Sequence, residues 1–539
     1  MEGYCQLKTS LLTSAALFGS VPRPHVSFES LPSFTAETGD SRSEIHGISC
    51  FDERMLEIFE RARNLNDAQE LVSLYIGRVE AELGAHGLRP DLAVQWRSSS
   101  VRRKLDVNEV LNLRATARFF KELFNFFFRD DLYGVLRRDD HLILSSGSVD
   151  EPTYSLPSVL KECLRYALDR DWYGYSDSRG RIATRAAIAD YESCRIERFQ
   201  YGQENVAITM GGTFAVNAIS DFLLSVHQSS PAPVLCALPN YPPLVESIGR
   251  RHNIRMVPLE SSGGTMDLGS LINSLEPSTP LILLQTANNP TGTPVSEEQL
   301  SKLIRKASPQ TIILLDECHE CVTPSYVRCR ERAANNVIRV SSLSKTLSAP
   351  GLKIGWILAD SAFIAEFYEY ASTTYGGPPS FFYLMIEIMA RMEQWMLQGL
   401  DDIGPAELSQ FEGTYGLQTA NLNRAYHQYR CERRLRDIEL AARRQEAVDA
   451  LESAGICVIR PSFSINLAFQ LPGCSDSYLG FRNILRETDV ALFPGVLTFC
   501  TGGWMRLTSS RPPDLLAAAL KRLVTCVRQE RRAVAGELW

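Results

Sequence analysis

Short apolar segments alternate with helical segments in the chain from about residue 150 to residue 345. The apolar segments are VAITM, VLCALP, LILLQT, TIILLD and VIRVSSL, and each is rich in β-branched residues and bounded by turn residues. Strands that alternate with helices form a mostly parallel sheet covered on both faces. The ligand site of such a sheet lies at the carboxyl ends of the strands. The pattern therefore predicts an α/β fold and indicates where functional side chains should be.

Helical patterns lie on both sides of this region. Residues 1 to about 45 are rich in Ser, Thr, Pro and Gly and predict an irregular lead-in. Apolar residues at helical spacing from Phe51 to Leu83 predict two amphipathic helices broken near NLND, and ATARFFKELFNFFF predicts a third. Beyond Phe382, long helices precede two β-rich stretches. We therefore predict an N-terminal extension (1–105), a small α/β domain (106–150 and 380–539) and a large domain that carries the site (151–379).

Charge and cysteine content narrow the class of protein. A net charge of −7 argues against a nucleic-acid partner and fits an enzyme of small molecules. The thirteen cysteines are scattered and odd in number, which favours reduced thiols in a cytoplasm. No apolar run approaches the roughly 20 residues that span a bilayer. The stretch LLTSAALFGSV (Leu11–Val21) has the length of a signal-peptide core, but its flanks lack the positive charge and the cleavage pattern.

One lysine follows a predicted strand and is surrounded by small and hydroxyl residues. It is Lys345, within SSLSKTLSAPGLKIGW (Ser341–Trp356). A lysine in such a place can hold an aldehyde as a Schiff base, with Ser342 and Lys353 available to a phosphate. The alternative interpretation is a Ser-Lys pair on a solvated turn.

Three further stretches favour the aldehyde-binding interpretation. Asn289, in TANNPTG, and Asp316, in LLDECHE, each stand at the end of a predicted strand. Gly211, Gly212 and Thr213, in ITMGGTFA, lie at a strand-to-helix junction. Free backbone N–H groups and the helix dipole favour a phosphate at such a junction.

The order of these motifs resembles a known family. G-G-T, N-P-T-G, D-E, S-x-S-K and a late Arg occur in the order of the pyridoxal-phosphate enzymes of the class I/II aminotransferase family, fold type I. The run SLSK…PGLKIGW is similar to the branch that holds 1-aminocyclopropane-1-carboxylate synthases, and the match covers about Asp140 to Arg506 and beyond. The resemblance implies pyridoxal 5'-phosphate (PLP) as the cofactor, bound by a large domain beside a smaller C-terminal α/β domain.

The resemblance also implies roles for residues around the cofactor ring. Lys345 would form the Schiff base with the aldehyde and then shuttle the substrate's proton. Asp316 would keep the pyridine nitrogen protonated, so that the ring accepts electrons. Asn289 would hold the ring hydroxyl oxygen, and Tyr241 would stack on the ring face.

Phosphate and substrate contacts follow from the same resemblance. The phosphate would be held by Gly211, Gly212, Thr213, Ser342 and Lys353. Tyr175, in YGYSDSRG, matches a tyrosine that reaches the phosphate of the neighbouring subunit, which implies a homodimer with shared sites. The substrate α-carboxylate would be gripped by the fork of Arg506, with Gly147 and Asn289 beside it. Tyr375, in TTYGGPPS, lies where the family often lines the substrate pocket.

Two positions depart from the family pattern. His319 stands where most members have Tyr, and because His titrates near neutrality we expect altered cofactor acid–base behaviour. Lys353 stands where Arg is usual, so a point charge replaces a planar fork. Both favour specialised chemistry, with tolerated variation as the alternative. A metal held by Cys318, His319 and Cys321 is disfavoured, because no second ligand pair accompanies them.

Three functions remain open from the sequence. The first is an aminotransferase-type enzyme that acts on an α-amino acid. The second is an elimination or replacement enzyme of specialised metabolism, with S-adenosylmethionine as a candidate substrate, since the fold does not decide which bond breaks. The third is an aminotransferase-like transcription regulator, which is disfavoured because acidic residues outnumber basic ones over residues 1–105.

Overall fold

The computed structural model describes residues 51–226, 231–262, 264–323 and 326–536. The predicted irregular lead-in (1–45) and the apolar stretch Leu11–Val21 lie outside the described residues. Within the described ranges, no helix combines the length and the apolar character needed to cross a membrane.

The N-terminal part of the described chain is helical, and its two predicted amphipathic helices are confirmed. The carboxylate of Asp52 accepts a hydrogen bond from the N–H of Met55 at the start of the first helix, and Asp67 caps the second in the same way. Such side-chain caps satisfy backbone donors that have no partner inside the helix. The five helices are α1 (Glu53–Arg61), α2 (Ala68–Leu83), α3 (Pro90–Ser98), α4 (Val107–Leu111) and α5 (Arg114–Phe126).

The predicted aromatic helix is α5, and it continues as a π-helical segment (Phe127–Val135). Phe119, Phe120 and Phe127 are fully buried in the main hydrophobic core. Aromatic side chains of this size bury large apolar areas, so they hold the segment firmly on the rest of the protein.

A seven-stranded sheet forms the centre of the molecule, and all five predicted strands are in it. The strand order is β2-β10-β9-β8-β7-β3-β4, and every pairing is parallel except the two made by β10. The mostly parallel α/β architecture predicted from the alternating segments is confirmed. The seven strands are β2 (Val206–Thr209), β3 (Val234–Leu238), β4 (Ile254–Pro258), β7 (Leu281–Gln285), β8 (Ile312–Asp316), β9 (Val337–Ser342) and β10 (Gly355–Leu358). The short β1 (Leu142–Ile143) precedes them, and β5 (Ser261–Ser262) and β6 (Thr265–Met266) pair with each other in a separate two-stranded sheet.

Helices cover both faces of this sheet. They are α6 (Ser158–Asp169), α7 (Ile182–Ser193), α8 (Gly212–Val226), α9 (Pro242–Gly249), α10 (Gly269–Asn273), α11 (Glu297–Lys306), α12 (Leu343–Thr346), α13 (Ser361–Thr374), α14 (Tyr383–Leu397) and α15 (Pro405–Leu408). Short 3₁₀ turns lie at Gly84–His86, Gln203–Asn205, Arg330–Ala333, Pro350–Leu352, Ser380–Phe382, Gly413–Tyr415 and Gly495–Thr498.

A second, antiparallel sheet follows a helix of 35 residues, α16 (Thr419–Ser453). The sheet has the order β11-β12-β15-β14. Its elements and the helices beside it are β11 (Cys457–Ile459), β12 (Asn466–Gln470), α17 (Ser477–Thr488), β13 (Val490–Ala491), β14 (Phe493–Pro494), β15 (Trp504–Thr508) and α18 (Pro513–Gly536), with β13 pairing β1.

The predicted boundary near residue 380 stays a proposal. Helix α14 shares a hydrophobic cluster with Val206 and Ile208 of the large sheet, and the early part of α16 belongs to the same cluster. Ala447 and Leu451, near the end of α16, instead pack into the core that includes Leu467 and Phe469 of the small sheet. Helix α16 therefore connects the two packing regions.

Candidate active site

A cavity of about 650 Å³ opens where the strands of the large sheet end. Most of the residues singled out in the sequence line it, although they come from distant parts of the chain. These are Gly147, Gly211, Gly212, Thr213, Tyr241, Asn289, Asp316, His319, Ser342, Lys345, Lys353 and Arg506. Their convergence follows from the parallel sheet, which brings the carboxyl ends of its strands to one edge.

Lys345 lies in α12, directly after β9, and its side chain is half-buried. Its Nζ donates a hydrogen bond to the carbonyl oxygen of Gly147 at 2.5 Å. Burial, together with the positive charge of Arg506, lowers the pKa of Lys345 from 10.5 to about 8. The amine is therefore partly neutral near physiological pH, which is the nucleophilic form.

Asp316 ends β8 and is 5% exposed. The side-chain amide of Gln285 donates to its Oδ2 at 2.9 Å, and the N–H of Cys318 donates to its Oδ1 at 3.1 Å. Gln285 ends the parallel neighbour β7 and pairs with Asp316 in register. The sequence reasoning missed Gln285, although its place at the end of LILLQ, beside the strand of Asp316, was a usable signal.

Arg506 projects from β15 of the small sheet and is 4% exposed. Its Nη1 donates to Oδ1 of Asn289 at 3.2 Å and its Nη2 to the carbonyl of Ser145 at 2.8 Å. Its Cζ lies 3.7 Å from the ring centroid of Phe493. Within the described residues it forms no ion pair, and its Nε has no hydrogen-bond partner.

Burial without an acidic partner lowers the pKa of Arg506 from 12.5 to about 9. A buried cation is costly unless an anion accompanies it. The site is therefore suited to a bound anion, which the planar guanidinium would hold through two parallel hydrogen bonds.

Gly147 lies against this guanidinium. Its φ of 64° is in the left-handed region, and a Cβ built on it would be 2.8 Å from Nη2 of Arg506. Only glycine fits both the backbone angle and the space. Its N–H donates to Oγ1 of Thr508 at 3.0 Å, so the carbonyl and the Cα are the parts that face Lys345 and the anion site.

The opposite end of the cavity is rich in N–H and hydroxyl groups. Gly212 begins α8, directly after Gly211, whose φ is 85°. A Cβ on Gly212 would collide with Sγ of Cys318, so a larger residue there would force that thiol to move. Ser342 and Ser344 face the same space, with Lys353 at its edge. Ser344 was not assigned a role from the sequence, although it belongs to the same S-x-S-K motif.

His319 is buried, and its Nδ1 lies 2.8 Å from Oγ of Ser464. Burial lowers the pKa of His319 from 6.5 to about 3, and the nearby Lys345 and Arg506 charges act in the same direction. The expectation that His319 titrates near neutrality is therefore wrong. The imidazole stays neutral because it is buried and the charges near it are already positive.

Two of the predicted site residues, Tyr175 and Tyr375, are not among the residues that line the cavity. Tyr375 packs edge-on against Phe214 at 4.8 Å between ring centroids; Phe214 lines the cavity, whereas Tyr375 does not. Tyr375 thus contacts the cavity lining through Phe214, and its place in the substrate pocket stays a prediction. Tyr175 is fully exposed and does not line the cavity of its own chain.

The thiols near His319 are not arranged as metal ligands. Across the described parts of the chain, no group of three or more His, Cys, Asp or Glu side chains could hold a metal ion. Burial raises the pKa of Cys318 well above its usual value and that of Cys321 to about 11. Both are therefore protonated thiols at neutral pH, the form that binds metals poorly.

Residues 139–523 match the family model described as aminotransferase class I and II. The chain belongs to this family. The aminotransferase is similar to a probable N-acetyl-LL-diaminopimelate aminotransferase of Bacillus subtilis, with 24% identity over 410 residues, which is 74% of this chain and 92% of the relative. It is also 25% identical to an aspartate aminotransferase of Pyrococcus horikoshii over 260 residues, which is 47% of this chain and 65% of that one.

Solved structures show the same fold. A Thermus thermophilus aspartate aminotransferase double mutant superposes with a TM-score of 0.57 at 20% identity, covering 78% of this chain and 97% of its own. The N-succinyldiaminopimelate aminotransferase of Mycobacterium tuberculosis superposes with a TM-score of 0.58 at 21% identity. The superposition covers 71% of this chain and 93% of that one. The aminotransferase thus has the PLP-dependent transferase fold type I.

The family establishes a PLP-dependent transferase, and the cavity fits that cofactor. It offers a half-buried amine, a buried carboxylate, and a helix N-terminus with hydroxyl groups at its far end. The aminotransferases among the relatives favour amino-group transfer over elimination, replacement or transcription regulation. The narrower likeness to the cyclopropane-forming synthases stays a prediction.

Proposed function

We propose that this aminotransferase transfers the amino group of an α-amino acid whose carboxylate is bound by Arg506. The observation that carries the proposal is the buried guanidinium of Arg506, which has no acidic partner among the described residues and lies beside the amine of Lys345. Gly147 joins the two, because its carbonyl accepts from Lys345 and its Cα lies against Arg506. A carboxylate on Arg506 would thus hold the α-carbon of the substrate next to the amine.

Lys345 is the group we assign to cofactor attachment and proton transfer. Bound PLP supplies an aldehyde and an electron-accepting ring. The lowered pKa of Lys345, about 8, leaves enough neutral amine at neutral pH to act as a nucleophile and as a base. Its proximity to Gly147 and Arg506 supports the proposal that this base acts on the side of the cavity where the substrate would lie.

The ring of the cofactor would be held by side chains at the strand ends. Asp316, kept in place by Gln285 and by the N–H of Cys318, would pair with the protonated pyridine nitrogen. Asn289 and the neutral His319 would contact the ring oxygen, and Tyr241 would cover one ring face. Because His319 is uncharged, it would act as a hydrogen-bond donor or acceptor without adding a third positive charge to the site.

The phosphate would lie at the N-terminus of α8. The proposed ligands come from the glycine turn, the serines before Lys345 and the exposed lysine after them: Gly211, Gly212, Thr213, Ser342, Ser344 and Lys353. Backbone N–H groups at a helix start and the helix dipole stabilise a dianion there.

We further propose a homodimer in which Tyr175 of each subunit reaches the phosphate of the other. The support is its full exposure on the chain, which leaves a large aromatic side chain in water. We also propose a cytoplasmic enzyme, since the thirteen cysteines of the sequence are odd in number and scattered along the chain.

Borohydride labelling combined with a transfer assay tests the function. The protein reconstituted with PLP is reduced with borohydride, and the peptide that contains Lys345 is expected to carry the cofactor mass. A panel of amino acids with a 2-oxoacid acceptor is then expected to yield the new amino acid. Lys345→Ala removes both signals, whereas Lys302→Ala, on the outer helix α11, leaves both. An unlabelled Lys345 peptide, or ammonia released without a new amino acid, contradicts the proposal.

A further inference from the structure

The helix α5 and the π-helical segment after it lie before the part of the chain that matches the family model, which begins at residue 139. Two of their side chains, Phe124 and Phe128, nevertheless line the active-site cavity. This wall of the cavity therefore comes from a segment that is additional to the family's matched region.

The segment is held in place by packing on both sides of the cavity. The guanidinium of Arg114 donates to the carbonyl of Gly249 at the end of α9. The ring of Phe120 lies 4.3 Å from that of Phe499, and the ring of Phe127 lies 5.0 Å from that of Phe481. A segment anchored in this way presents its two cavity-facing rings in one arrangement, so little entropy is lost when a ligand packs on them.

The two rings stand close to the anion site. The ring of Phe493, which stacks on Arg506, lies 6.0 Å from Phe124 and 6.1 Å from Phe128. Phe124 also meets Tyr241 edge-on at 5.4 Å. Aromatic rings therefore surround the space next to the guanidinium, where the side chain of an amino acid bound through its carboxylate would lie.

Within the described residues, the charged side chains that line the cavity are Arg250, Asp316, Lys345, Lys353 and Arg506. The proposed function assigns all of them except Arg250 to the cofactor or to the substrate carboxylate. Asp316, the acidic residue of the lining, already accepts hydrogen bonds at both oxygens. Arg250 is 54% exposed and lies 3.8 Å from Glu246, so its charge is screened by water and by that carboxylate. A carboxylate or an ammonium group against the two phenylalanine rings would lose its hydration without gaining a counter-ion.

We propose that the substrate is an amino acid with a large apolar side chain, aromatic in preference, that packs on Phe124 and Phe128. The proposal rests on the proposed function for the position of the carboxylate. Residues 114–135 are then the specificity-determining segment of this enzyme.

Binding of unreactive acids to the PLP-loaded enzyme tests the wall separately from catalysis. Phenylpropionate lacks the amino group that reacts, and propionate and succinate differ from it only in the side-chain end. Titration calorimetry is expected to show phenylpropionate binding at least about tenfold more tightly than either of the other acids. Phe124→Ala and Phe128→Ala are expected to remove most of that difference.

Phe126→Ala is the matched control. It removes the same ring from the same helix, but Phe126 packs against Arg89 rather than the cavity, with 4.7 Å from Cζ to the ring centroid. The proposal is overturned if the wild type binds the three acids equally. It is also overturned if Phe124→Ala and Phe128→Ala both keep the full preference for phenylpropionate at an unchanged melting temperature. Phe124→Leu keeps an apolar side chain and is expected to retain part of the preference for phenylpropionate. This variant provides the test if Phe124→Ala folds poorly.

Steady-state rates provide a second readout. The ratio of kcat/KM for phenylalanine to that for alanine is expected to fall at least about tenfold in Phe124→Ala and to stay within about threefold in Phe126→Ala. If the enzyme prefers phenylpropionate but transfers no amino group from any amino acid, the result would support the role of Phe124 and Phe128 and contradict the proposed function. Faster amino-group transfer from aspartate than from phenylalanine would support the proposed function and overturn the proposed preference for an apolar side chain.

Discussion

The hydroxyl of Ser464 lies 2.8 Å from Nδ1 of His319 and joins the loop before β12 to the turn after β8. The backbone of Ser464 is left-handed, with φ of 67°, and its N–H donates to the carbonyl of Cys321 at 2.7 Å. Its own carbonyl accepts from Arg444 at 2.7 Å. The backbone N–H and the carbonyl of Ser464 are therefore both fixed by hydrogen bonds. Because Nδ1 of His319 contacts Ser464, Nε2 is the ring nitrogen that can bind a group in the cavity.

Ser464→Ala is expected to change the acid–base behaviour of the bound cofactor. We expect the hydroxyl to donate to Nδ1, which favours the tautomer that carries the proton on Nε2, the form that donates to a ring oxygen. Its loss is expected to raise the pKa of the visible absorbance band by about half a unit to one unit, the effect of roughly one hydrogen bond. A spectrophotometric pH titration measures the shift. Ser462→Ala, at an exposed neighbour, is the control, and an equal pKa in both variants contradicts the assignment.

Acid sensitivity is expected to depend on His319. Its pKa falls from 6.5 to about 3 in the folded protein, so between these values the unfolded chain binds a proton that the folded chain does not. Stability therefore rises with pH through this window and is lost as the pH falls from 6.5 towards 3. Melting temperatures between pH 4 and pH 7 are expected to fall less steeply for His319→Asn than for the wild type. Parallel curves would show that His319 does not contribute.

A buried ion network under the site is expected to carry stability. Arg339 is fully buried and donates to Glu317 at 2.8 Å and to Glu192 at 2.8 Å. Arg339→Met would leave carboxylates without a counter-ion and is expected to reduce the free energy of unfolding by about 3–5 kcal/mol. Urea denaturation measures the loss. Arg305→Met, which breaks an exposed pair with Glu331, is expected to cost less than about 1 kcal/mol.

The same network has its own pH window. Its arginines lower the pKa of Glu192 from 4.5 to about 2 despite the burial that acts in the opposite direction. The stability that Glu192 contributes is present above pH 4.5 and is lost as the pH falls towards 2. Most of the pH range over which His319 affects stability, from 6.5 to about 3, lies above pH 4.5. An Arg339→Met variant as stable as the control would contradict the importance of the network.

Gly147→Ala is expected to disturb the carboxylate site. The added Cβ would be 2.8 Å from Nη2 of Arg506, on a backbone with φ of 64°. The guanidinium would have to move, and kcat/KM for the amino acid is expected to fall about a hundredfold. Gly413→Ala is the control, because no atom of the described residues beyond its chain neighbours lies within 4 Å of its Cβ position. Steady-state kinetics on both variants make the comparison, and an unchanged kcat/KM in Gly147→Ala would exclude the close contact with Arg506.

The strands of the large sheet, and the residues at their carboxyl ends, could be predicted from the amino-acid sequence alone. Lys345, Asp316 and Asn289 could be placed because each follows a short apolar run, and parallel strands bring such positions to one edge. The predicted helices between residues 51 and 83 were found in the same way, from local periodicity.

Which distant side chains meet in the cavity could not be predicted from local sequence patterns, because it depends on how the chain packs. Ser464 contacts His319 across 145 positions of the chain, and Phe124 faces the site from a helix before the matched family segment. The neutral state of His319 and the unpaired charge of Arg506 likewise depend on burial among residues far away in sequence. Local patterns report which face of an element is apolar, whereas pKa values and pocket shape depend on what packs against that face.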